Sequence, residues 1–189
     1  MNDRSERAFP PATVLAVLAL VHAGSARAEV ATVAANGFVV RESVPIAASP
    51  QAVYEALLQP ARWWSPAHTF SQDARNLTLE ARAGGCFCER LSHGGSVQHL
   101  MVVMVQPGKL LVLRGALGPF QSQGVEGALN WSVTGTGPQS ELTLTYTLGG
   151  FVSLPGGFEA WAPKVDAMLS EQVHRLQSLL QTGSPGAHP

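Results

Sequence analysis

Charge is what this sequence has least of. Asp, Glu, Lys and Arg make up 13% of its 189 residues, about half the usual share of a soluble chain. The basic residues are scattered singly and the net charge is -1. Nucleic acid, or an anionic membrane surface, would need a clustered basic face, so neither is an expected partner. Cysteine is nearly absent. The two present, Cys86 and Cys88, are too few for a disulfide scaffold or a four-ligand zinc site. Also missing are GxSxG, GxxxxGK[ST], HExxH and any dinucleotide fingerprint. Their absence removes the usual signatures of serine hydrolases, phosphate-cradling loops, zincins and nicotinamide enzymes. The six histidines are dispersed, and no metal or cofactor is expected.

Apolar residues, by contrast, reach 46%, and part of that excess sits at the N-terminus. Residues 13–21 (TVLAVLALV) follow Arg4 and Arg7 and precede Ala26-Arg27-Ala28. This is the order of a basic n-region, an apolar core and a small-x-small cleavage site. The run is too short for the roughly twenty residues of a membrane span. A signal peptide over 1–28 is therefore expected, followed by a flexible lead over 29–37 and one domain over 38–182. The tail 183–189 is expected to be disordered. The mature protein would be periplasmic or secreted, without a stable membrane span.

Periodicity then divides the domain. Residues 38–48 read as a strand, with Glu42 interrupting an apolar face of Val40, Val44 and Ile46. Ser49-Pro50 reads as a helix start, because Ser caps orphan N–H groups and Pro is tolerated at the first helical position. Val53, Tyr54, Leu57 and Leu58 then form one helical face, and a second short helical turn follows near residues 61–64. Period-two alternation follows in short runs from 77 to 148, separated by Gly84-Gly85, His93-Gly94-Gly95, Pro107-Gly108 and residues 135–139. It is clearest at Leu129, Trp131 and Val133 and at Leu142, Leu144, Tyr146 and Leu148. From Phe158 to Leu180 apolar residues recur at three and four, which predicts a long helix containing Pro163. Strands joined by tight turns are antiparallel, and only the long helix is large enough to cover their dry face. The expected fold class is α+β: a curved antiparallel sheet of six to seven strands around a C-terminal helix.

Cys86 and Cys88 fall on one of these strands. Two residues apart on a flat strand, their Cα atoms would stand about 6.5–7 Å apart, at or beyond the limit for a disulfide. The pair is therefore expected as two partly buried thiols, with an intermolecular bridge as the alternative.

Several local sequences resemble the helix-grip fold of the START/SRPBCC superfamily, in its chaperone-ATPase-activator-like and polyketide-cyclase branch. They are Val44-Pro45-Ile46 through Leu57, Trp63-Trp64, Gly84-Gly85-Cys86-Phe87-Cys88-Glu89, and Pro107-Gly108-Lys109-Leu110-Leu111. The resemblance spans residues 38 to 181. It implies an apolar pocket between the sheet and the long helix, lined by Trp64, His68, Glu89, His99, Trp131, Tyr146, Phe158 and Trp161. An exported chain would not meet a cytoplasmic chaperone, so that branch's regulatory role is not expected.

The functional expectation is an apolar or amphipathic small-molecule carrier, monomeric or weakly dimeric. An alternative is a cyclase-, hydratase- or isomerase-type enzyme, with Glu89 orienting His99 as a base. A third reading is an envelope protein-interaction module acting through residues 115–126, a segment that reads more simply as a mobile loop over the pocket.

Overall fold

The computed structural model describes residues 27–186; most of the expected leader, and residues 187–189, lie outside them. Eight strands form one open antiparallel sheet. In chain order these are β1 (Arg27–Ala34), β2 (Gly37–Ile46), β3 (Leu77–Leu79), β4 (Cys86–Arg90), β5 (Ser96–Gln106), β6 (Leu110–Arg114), β7 (Gly124–Thr136) and β8 (Gln139–Phe151). Their spatial order is β1-β2-β8-β7-β6-β5-β4-β3. Two α-helices accompany them, α1 (Pro50–Leu57) and α2 (Gly157–Thr182). The helix-grip architecture is thus present, with one strand more than expected.

The additional strand is β1, which occupies the expected flexible lead. It pairs with β2 from Arg27↔Ser43 to Ala34↔Gly37. Alternation is weak here because β1 is an edge strand whose residues after Val30 are exposed. Cleavage after Ala28 would leave residues 29–34 to make the pairing. The second short helix is a 3-10 turn, Pro60–Arg62, followed by two more at Pro66–His68 and Ala74–Asn76.

Capping follows the sequence closely. Ser49 Oγ accepts the Ala52 N–H at 3.3 Å, with Pro50 in the first helical position. At the other end of the chain, Gly183 takes φ 80° and donates its N–H to Leu179, the left-handed stop that glycine alone adopts cheaply. The tail then folds back over α2. Arg175 Nη1 donates to the Gly186 carbonyl at 2.8 Å, and Ser178 Oγ to that of Ser184 at 2.9 Å. Residues 184 and 186, within the expected disordered tail, thus bond to α2.

Helix α2 crosses the concave face. Its residues Val165, Leu169, Val173 and Leu176 are buried in one hydrophobic core with Val40 and Val44 of β2 and Leu142 and Leu144 of β8. Full burial of each such side chain is worth about 1.5–3 kcal/mol, so this seam dominates the core. Two polar pins fix the helix's position. The buried Gln172 accepts the Ser65 N–H at 2.8 Å, and Arg175 Nε donates to the Trp63 carbonyl at 2.8 Å. No helix among the described residues is long and apolar enough to cross a membrane.

Bulges bend the sheet. Between β4 and β5 the register steps from Phe87↔Leu100 to Cys88↔Gln98, leaving His99 as the extra residue. A bulge sharpens local twist, and opposite it the Cα atoms of Cys86 and Cys88 lie 5.3 Å apart. That is within disulfide range, and the two cysteines are bonded to each other. The expectation of two free thiols is corrected: it assumed a flat strand, and this one is bent.

Candidate functional site

A cavity of about 480 Å³ lies between the sheet and the first half of α2. Its sheet wall is made by Phe87 of β4, His99 of β5 and Tyr146 of β8. Trp161, Lys164, Val165 and Met168 of α2 face them, and Leu117, Pro119 and Phe120 close one side. Trp64, His68 and Phe70 border the other. The surface is apolar and aromatic apart from a few groups, the usual composition of a small-molecule site.

Glu89 and His99 form the most developed polar feature. Alternation puts Glu89 on the concave face of β4, where it is fully buried. Strict alternation would set His99 and Leu100 on opposite faces; the bulge turns both inward, and both are buried. His99 Nε2 lies 2.9 Å from Glu89 Oε2. The same carboxylate accepts the Phe70 N–H at 3.1 Å and the Ser71 N–H at 2.5 Å. Burial pushes the Glu89 carboxyl up, but the bonds from Ser71, Phe70 and His99 outweigh it and leave it below its usual range. Glu89 is therefore ionised at neutral pH. Burial also pushes the His99 imidazole below its usual value, against an upward pull from Glu89, so the ring is neutral at pH 7. The carboxylate then fixes the tautomer: Nε2–H donates to Glu89, and Nδ1 is left as an acceptor. Phe87 and Phe70 flank the ring, with centroids at 5.1 and 5.9 Å.

Tyr146 supplies the complementary group. Its Oη accepts the Leu117 N–H at 3.1 Å, and its own hydrogen remains available to donate. Burial raises its pKa, which keeps the phenol neutral. At the rim, His68 Nε2 meets Glu171 Oε2 of α2 at 2.9 Å. Lys164 Nζ lies 4.5 Å from the centre of the Trp161 ring.

Of the eight residues expected around the pocket, Trp64, His68, His99, Tyr146 and Trp161 line this cavity. Glu89 stands behind His99. Trp131 is elsewhere: Trp63 packs edge-on to it at 5.9 Å, and the two share a separate space of about 20 Å³ beneath α1. Phe158 is also displaced from the wall. It stacks on Phe120 at 6.4 Å and packs edge-on to Phe38 at 5.8 Å, so Phe120 takes the cavity surface instead.

Phe120 belongs to the segment expected as a mobile loop. That segment contains a 3-10 turn, Gly118–Ser122, with Phe120 buried, and β7 begins at Gly124. Leu117 and Phe120, three residues apart among polar and glycine neighbours, were the available signal. Phe70, Val165 and Met168 were also missed as wall residues. Phe70 sits in an irregular stretch without period, and the other two read simply as core positions of the helix. Arg114 pairs with Glu126 at 3.2 Å on the surface. Among the described residues no group of three or more His, Cys, Asp or Glu could hold a metal ion.

Residues 37–181 match the model of a family described as polyketide cyclase / dehydrase and lipid transport. Several solved structures share the fold. A conserved protein of unknown function from Enterococcus faecalis is 16% identical, with a TM-score of 0.58, covering 87% of this chain and 80% of that one. CalU16 from Micromonospora echinospora is 15% identical, with a TM-score of 0.55, covering 87% and 88%. DynU16, from the dynemicin biosynthetic locus, is 24% identical with a TM-score of 0.53, covering 79% of this chain and 49% of that one. No curated protein matches the sequence.

Proposed function

The chain belongs to the polyketide cyclase / dehydrase and lipid transport family, the START/SRPBCC type, and from that premise we propose that it binds an apolar or amphipathic small molecule in the cavity under α2. The cavity itself carries the proposal: about 480 Å³ of aromatic-walled space, in the range that encloses a drug-sized ligand. A neutral His99 Nδ1 and the Tyr146 hydroxyl present an acceptor and a donor to a ligand that is otherwise held by apolar contact. A hydroxyl- or carbonyl-bearing hydrophobe satisfies both. Native mass spectrometry of the purified chain, with organic extraction of anything co-purified, tests this. A bound hydrophobe lost on replacing Val165 with Trp, which fills the cavity, supports it; no uptake from a panel of apolar probes overturns it.

The Glu89–His99 bond favours a second reading, an enzyme of cyclase, hydratase or isomerase type. In it Nδ1 of His99 takes a proton from the bound molecule, and Glu89 stabilises the resulting imidazolium. Turnover abolished by His99→Gln, with ligand binding retained, would distinguish it from carriage.

We also propose that the protein is exported, supported by the leader-like order of residues 4–28 and by a disulfide, which persists in oxidising compartments. N-terminal sequencing of the mature chain would refute this if residues 1–28 were retained.

A further inference from the structure

The cysteine pair lies back to back with the polar end of the cavity. Along β4 the side chains alternate: Cys86 and Cys88 are half-buried on the convex face, while Phe87 and Glu89 are buried on the concave one. Across from them, residues 98–101 of β5 contain the bulge that turns His99 inward. We propose that Cys86–Cys88 is a reversible thiol–disulfide site, and that its redox state sets the position of His99 and Glu89 in the cavity wall.

Its spacing argues against a mere staple. Loop-closure entropy grows with loop length, and this ring encloses only one residue, so little unfolded-state freedom is removed. What the bond does is local. It holds the two Cα atoms at 5.3 Å, where an unconstrained strand would place them about 6.5–7 Å apart. The bulge brings the cysteines within reach, and opening the bond removes the tether that holds them there, so β4 is free to lengthen toward the flat-strand spacing. Phe87, between the cysteines, packs on His99 at 5.1 Å and on Trp64 at 5.3 Å. Glu89, directly after Cys88, is 2.9 Å from His99. A hydrogen bond of that length does not survive an ångström of separation. The change on the convex face therefore reaches the ligand-facing wall through adjacent residues of one strand.

The reaction needs a thiol partner, a protein dithiol or a small-molecule thiol. Its thiolate attacks one cysteine sulfur, the Cys86–Cys88 bond breaks, and the other cysteine leaves as a thiolate and takes up a proton. A second thiol of the reductant displaces the mixed disulfide, freeing the second cysteine with its proton. Two electrons and two protons pass to the chain, and the reductant becomes a disulfide. Neither cysteine is fully buried, as attack by an outside thiolate requires.

The test requires no ligand, so it is separable from the carrier reading. The full chain is equilibrated in glutathione redox buffers, and alkylatable thiols are counted by mass. The same samples give the ring resonances of His99 by NMR, assigned with His99→Gln. The expected result is none to two thiols in a single reversible transition, with His99 signals moving in step. Cys86→Ser/Cys88→Ser should reproduce the reduced spectrum. An apolar fluorophore such as anilinonaphthalene sulfonate, where it binds, should change affinity two- to tenfold between the states. Two thiols in the air-oxidised monomer, a disulfide-linked dimer, or His99 resonances identical in both states would each overturn the proposal.

Discussion

Two glutamates, Glu42 and Glu89, are both fully buried on the concave face of one sheet, and their surroundings push their pKa values in opposite directions. Glu89, in the cavity wall, meets two backbone N–H groups and an imidazole. Glu42, under α2, faces Asp166 and Ser170 of the helix, and of these only the Ser170 hydroxyl favours its charged form. Burial, and then the neighbouring Asp166, push its pKa up to about 8. Depth alone does not decide ionisation; the donors at the end of the side chain do. The cavity end of the sheet thus keeps a working anion, while the packed end keeps a neutral acid that behaves as core.

The contrast is most severely tested by removing each carboxyl. Glu89→Leu strands two N–H groups and the His99 ring, and should lower unfolding free energy by about 3–5 kcal/mol at pH 7. Glu42→Leu should cost under about 1 kcal/mol, or stabilise. Equal losses in urea titrations would mean that the donors are not what separates the two sites.

The next effect is a pH dependence. An acid whose folded pKa is raised holds its proton longer folded than unfolded. Glu42 therefore contributes full stability below about 4.5, loses it progressively as pH rises to about 8, and costs no more beyond that. Glu42→Gln should remove this slope and gain roughly 2–5 kcal/mol at pH 8.5, read as a flatter melting temperature against pH. Wild-type and variant curves that stay parallel from pH 5 to 9 would reject the assignment.

His99 works in the other direction. Its folded pKa lies below 6.5, so stability is lost as pH falls below 6.5, where the unfolded imidazole takes a proton more readily. Because Glu89 pulls that pKa upward, Glu89→Gln should lower it further. An NMR titration showing a rise would contradict the hydrogen bond. The smallest effect is expected at the rim. His68→Ala removes a partly exposed contact to Glu171 and should change stability by less than about 0.5 kcal/mol, measured by urea denaturation at pH 7.

Much of this fold was legible from local pattern. Ser49-Pro50 announced α1, the alternation of Leu142, Leu144, Tyr146 and Leu148 announced β8, and the three–four spacing after Phe158 announced α2. The inward Glu89 and Tyr146 followed from the same alternation. The cavity was less legible. Trp131 has a clear inward-facing pattern, yet Trp63, from a turn 68 residues earlier, separates it from the site. Phe158 has the right helical face, and Phe120 stands in front of it.

By itself, then, the sequence determined periods, caps and turns, because these depend on neighbours within a few residues. Only the tertiary structure decided that His99 faces the cavity, that Cys86 reaches Cys88, and that Glu42 is neutral while Glu89 is charged. Each depends on pairings across strands or with α2: a bulge that shifts one register by a residue, and donors that arrive from distant segments. A one-residue slip inverts a face, and no local period records it.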